Sequence, residues 1–114
     1  RMELLFSEGV NKGRISLPKF VELSATNAAK KFGMYPKKGT IAIGADADIC
    51  ILDPNKKHTL SAKTHHMRTD YSAYEGFEVT GKVETVLLRG NVAIENEKCL
   101  LQPGFGQFVP RKAQ

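Results

Sequence analysis

The only adjacent histidines of this chain, His65 and His66, stand in the stretch SAKTHHMRTDY beside Lys63, Arg68 and Asp70. Imidazoles next to basic and acidic side chains have the composition of a metal or acid–base site, so spacing has to decide. Metal sites favour histidines that share a face, as in H-x-H on a strand or i, i+4 on a helix. Neighbours in an extended segment point to opposite sides, and His58 is too remote in sequence to argue for as a further ligand. The expectation is therefore that one histidine packs or hydrogen-bonds at an interdomain or subunit surface while the other faces outward.

The other chemical residues read in the same way. The acidic turn GADAD suggests calcium, but an EF-hand-like loop needs more oxygen ligands at fixed spacing and a distal glutamate. Asp46 and Asp48 are expected to tie their own turn together through side-chain to backbone hydrogen bonds. The GxG of PGFGQF is too short for a phosphate loop and has no strand before it or helix after it, so Gly104 and Gly106 are read as permitting a tight backbone path. Ser24, Ser61 and Ser72 lack the surroundings of a nucleophile elbow. Cys50 is expected to be a small buried hydrophobe, and Cys50 and Cys99, without CxxC spacing, fit reduced thiols better than a disulfide framework.

The elements that would carry these residues follow from pattern. At 114 residues with 41% hydrophobic and 25% charged residues, the composition is that of one folded domain. Met2, Leu4, Leu5 and Phe6 predict a helical turn or two, stopped near Gly9 and Gly13. Ser16 and Pro18 open a helix whose face is Leu17, Phe20, Val21 and Leu23. Thr26 or Asn27 is expected to cap a second helix with Ala28, Ala29 and Phe32 on one side, ended by Gly33 and Pro36. From Lys37 onward the character changes to about five short strands. They begin with the apolar segment Ile41 to Ile43, continue with Ile49 to Leu52 closed by Asp-Pro-Asn, and then HTLSA. A hairpin then places Val86 to Leu88 against Val92 to Ile94 around Arg89-Gly90-Asn91, and EKCLLQ adds an edge. Between them KTHHMRTDYSAYEGFEV reads as a long ordered loop with aromatic anchors, and PGFGQFVPRKAQ as an extended arm. Helices followed by strands predict an α+β class, or the tail of one domain joined to a small β domain. An uncapped helical start and a sheet short of a partner suggest a piece of a longer protein.

The net charge of +5 comes from 17 basic and 12 acidic residues. The basic residues are scattered, without aromatic interleaving, so nucleic-acid binding is not expected. No apolar run approaches the length of a membrane span, and no h-region with a cleavage site opens the chain. A cytoplasmic location is the expectation.

The stretch TNAAKKFGMYPKKGTIAIGADADICILDP resembles a segment of the amidohydrolase superfamily, T-x-N-P-A-x-x-x-G followed by K-G-x-I-x-x-G-x-D-A-D-[LI]-x-[VIL]-x-D. Thr26, Asn27, Ala29, Gly33, Lys38, Gly39, Ile41, Gly44, Asp46, Ala47, Asp48 and Asp53 match it, with Ala28 where many members carry proline. SAKTHHMRTDYSAYEG, VETVLLRGNVAIEN and PGFGQFVPRK look like the C-terminal part of the hydantoinases and dihydropyrimidinases.

The resemblance implies a fragment in three parts. Residues 1–36 would be the last helices of a TIM-like barrel, 37–102 the C-terminal strands of a β-sandwich domain, and 103–114 an extended arm. It implies a longer parent in which two zinc ions, bridged by a carboxylated lysine, activate a hydroxide that opens a small cyclic amide. Their ligands lie upstream, so no catalytic, metal or substrate-binding residue is expected in this chain, and the chain alone should bind no zinc and be inactive. The implied partners are the missing N-terminal part and the other copies of a homotetramer. Tyr71, Tyr74, Phe77 and Phe108, from the loop and from the arm running to Lys112, are candidate subunit contacts, or else pack within their own subunit. The alternative is a fragment of a non-catalytic relative, the collapsin response mediator type, which works in assembly and the cytoskeleton.

Overall fold

A computed structural model describes residues 1–111, so the last three residues of the expected arm, Lys112 included, lie outside the described residues. Two helices precede a four-stranded antiparallel sheet of order β1-β2-β3-β4. Helix α1 begins in α form over Met2–Leu5 and continues in the wider π form over Phe6–Asn11. It runs through Gly9 and gives way at Gly13, whose φ of 67° suits a residue without Cβ. Helix α2 is α over Leu17–Val21, π over Glu22–Thr26 and α again over Asn27–Lys31.

The expected start of α2 is present: Ser16 Oγ accepts from the Lys19 N–H, and Pro18 occupies the first turn. The expected second start is not. Thr26 has helical dihedrals and its hydroxyl donates instead to the Gly39 carbonyl at 2.8 Å, so the helix passes through it without a break. The helix widens near Ser24, whose hydroxyl donates back to the Phe20 carbonyl at 2.7 Å. Such back-bonding loosens a helical ladder. Gly33, at φ 67°, ends it as expected.

The strands are fewer and longer than the pattern suggested. Ile41 and Ile43 form no strand; they are 84% and 108% exposed in an open turn. Strand β1 spans Ile49–Thr59 and includes both Asp-Pro-Asn and the His58-Thr59 end of HTLSA. Asp53 does close an Asx turn, accepting from the Asn55 N–H at 2.9 Å, but the turn is a bulge inside the strand. Strand β2 spans Glu78–Leu88, β3 Asn91–Glu95 and β4 Lys98–Cys99. The expected hairpin and edge are thus in place. Arg89 and Gly90, both at positive φ (47° and 77°), make the two-residue turn whose twist matches that of the strands.

Helix meets sheet at Gly81. A Cβ there would lie 2.4 Å from Cδ1 of Phe6, and Gly81 has a φ of 114°. The Phe6 ring fills that space and meets Phe20 edge-on at 5.5 Å. Around it, Glu3, Ser7 and Asn11 form one stripe of α1, four residues apart, and all three bond the backbone of β2. Glu3 Oε1 accepts from the Val83 N–H at 2.9 Å, Ser7 Oγ accepts from the Thr80 N–H at 3.1 Å, and Asn11 Nδ2 donates to the Thr80 carbonyl at 2.8 Å. Among the described residues, Phe6, Phe20, Ala29, Leu60 and Val79 are the buried apolar ones.

Gly81→Ala should destabilise the fold by at least ~2 kcal/mol, since it adds both a clash and a disfavoured φ. Phe6→Ala should cost about 3–5 kcal/mol. Urea unfolding followed by far-UV circular dichroism measures both.

Candidate functional site

The histidines are closer together than their spacing implied. His58, on β1, and His65 and His66, in the loop after it, line one groove of about 340 Å³ together with Glu3, Lys82 and Glu97. His58 Nε2 lies 3.0 Å from Glu3 Oε2. The carboxylate only accepts, so Nε2 is the donor, and the pair binds α1 to β1. His58 Nδ1 and His65 Nδ1 are buried without a hydrogen-bond partner in the protein. Sequence reasoning set His58 aside because the link between β1 and the loop is set by the fold. Of the adjacent pair, His65 is half-buried and His66 exposed, and both border this groove. Among the described residues no three of the His, Cys, Asp and Glu side chains are grouped so as to hold a metal ion.

The loop that carries His65 and His66 is held by ordinary structural bonds. Leu60 and Phe77 close its base, with Leu60 N–H on the Phe77 carbonyl and Gly76 N–H on the Leu60 carbonyl, each at 2.9 Å. Glu75 accepts from the Ala62 N–H and the Ser61 hydroxyl, both at 2.7 Å, fixing the short 3₁₀ turn Ala62–Thr64. Those two bonds, the backbone one first, hold the Glu75 carboxyl below its ordinary value. Ser72 Oγ accepts from the Tyr74 N–H at 3.2 Å. With Ser24 turned back on its helix, Ser61 and Ser72 join it in serving local structure.

The acidic turn also acts differently from expectation. Asp46 and Asp48 both pair with the Lys38 ammonium, Asp46 at 2.9 Å. Asp48 Oδ1 accepts from the Arg89 N–H at 2.9 Å, across 41 residues of sequence. The carboxylates therefore tie the turn to Lys38 and to the β2–β3 hairpin, where a bond within the turn had been anticipated. A lysine already supplies the cation there. Burial opposes charge on Asp48, but Lys38 and the Arg89 N–H outweigh it and hold the carboxyl below its ordinary value. Burial likewise opposes charge on Lys38, and its two carboxylate partners push it up.

The residues that carried the resemblance meet at this node. Gly39, at φ 80°, faces α2 so closely that a Cβ would lie 2.4 Å from that of Ala29, and its carbonyl takes the Thr26 hydroxyl. Thr26, Ala29, Lys38, Gly39, Asp46 and Asp48 thus lock α2 to the start of the sheet. The arm joins the same node: Arg89 Nη2 donates to the Phe105 carbonyl at 2.5 Å, and its guanidinium lies 4.7 Å from the ring centre. Residues 105–111 then run without regular structure.

Cys50 is exposed, which corrects the expectation of burial: a strand side chain points to a face of the sheet, and the face under Cys50 is not covered by other described residues. Partial desolvation first, then Asp48, push its thiol up, which disfavours a nucleophilic role. Both cysteines are free. Tyr71, Tyr74, Phe77 and Phe108 are all exposed, Tyr71 at 75% and Phe108 at 90%.

This arrangement, a motif spent on locking helix to sheet, accompanies a match of residues 1–93 to the profile of the Amidohydrolase family. The chain belongs to the amidohydrolase family. It is 51% identical to the D-hydantoinase of Geobacillus stearothermophilus over 111 residues, covering 97% of this chain and 24% of that protein. It is 42% identical to the dihydropyrimidinase of Rattus norvegicus over 112 residues, covering 98% of this chain and 22% of that one. A solved D-hydantoinase superposes with a TM-score of 0.94 at 50% identity, over 98% of this chain and 24% of the solved one. This amidohydrolase chain therefore spans about a quarter of the length of the relatives it matches.

The pH dependence of the lock follows from the two directions. A carboxyl lowered on folding contributes stability above its unfolded pKa of about 3.9 and loses it as pH falls through the lower folded value. A lysine raised on folding contributes below about 10.4 and loses the contribution as pH rises through the higher folded value. Asp48→Asn should therefore destabilise by a constant amount between about pH 5 and pH 9, with the difference from wild type shrinking below about pH 4. Urea unfolding across pH checks it.

Proposed function

We propose that this chain is the C-terminal part of a cyclic amidohydrolase of the hydantoinase and dihydropyrimidinase type, which opens small cyclic amides by hydrolysis. The observation that supports the reading is the near-complete coverage of this chain, at 51% identity, by the D-hydantoinase of Geobacillus stearothermophilus. In this reading residues 1–36 are the last helices outside a TIM-like barrel, 37–102 the C-terminal strands of a β-sandwich, and 103–114 the arm. The relatives named above are D-hydantoinases and dihydropyrimidinases, which favours the enzyme over the collapsin response mediator alternative.

The parent would be a cytoplasmic homotetramer. When bound, its two zinc ions would supply an activated hydroxide and a polarised ring carbonyl. The described residues present no three-ligand group, so their fit to that centre is poor and no step is assigned to them. This chain's contribution is structural: Lys38, Asp46, Asp48 and Arg89 join the helices to the sheet, and the Glu3–His58 pair holds α1 against it.

Two measurements test the proposal. The purified chain, given zinc, should hold no stoichiometric metal by inductively coupled plasma mass spectrometry and should leave hydantoin and dihydrouracil intact. A full-length chimera, the Geobacillus stearothermophilus protein with its 111 matched residues replaced by this chain, should hydrolyse hydantoin with kcat/KM within about tenfold of its parent. Stoichiometric zinc on the chain alone, or a folded but inactive chimera, would overturn the reading.

A further inference from the structure

We draw no further inference here: the strongest candidate, the groove between α1, the sheet and the loop that carries His65 and His66, keeps its unpartnered imidazole nitrogens, His58 Nδ1 and His65 Nδ1, buried beneath its wall, and nothing in the structure shows what would occupy it.

Discussion

The fold depends on the close approach of α1 to β2 at Gly81. An aromatic ring sits where any other residue would carry its Cβ, so the apolar contact between helix and sheet is made with backbone on one side. Backbone approached this closely loses water, and its N–H and C=O groups then need partners. Glu3, Ser7 and Asn11 supply them at Val83 and Thr80. The apolar contact and the polar stripe therefore require each other: Phe6 brings the helix near enough for short side chains to reach, and those bonds make the nearness tolerable.

The same level of the sheet is where β1 carries its bulge. Asp53 pairs with Lys82 and Lys57 with Thr80, so three residues of β1 stand opposite Gly81 alone. Bulges bend a strand and increase its twist. Here the bend falls where the helix presses on the neighbouring strand, and His58 beyond it reaches Glu3. Pro54 lacks an N–H, and inside the bulge its position needs none for the ladder.

What could be read from the sequence was whatever acts within a few residues. Ser16, Gly33 and the Arg89-Gly90 turn have local chemistry that no distant partner overrides, and each took its expected role. Thr26 has the same local credentials as a cap, but Gly39 arrives thirteen residues later and takes its hydroxyl. Asp-Pro-Asn has the chemistry of a turn and makes one, yet the continuing pairing of Lys57, His58 and Thr59 with β2 turns an ending into a bulge. Asp46 and Asp48 looked self-sufficient because Lys38 and Arg89 come from either side in sequence and converge only in the folded chain. The groove of histidines was hidden for the same reason. The apolar neighbours of Cys50 look like those of a strand covered on both faces, whereas its side chain is exposed among the described residues.

Arg89 gives this node a further property. Its backbone N–H holds the acidic turn, its left-handed φ closes the hairpin, and its guanidinium grips the start of the arm. Three stretches separated by tens of residues are thereby fastened to one amino acid. They are bound to open together, so hydrogen exchange in the acidic turn, the hairpin tip and the residues around Phe105 would share one protection level and behave as a single unit of local unfolding.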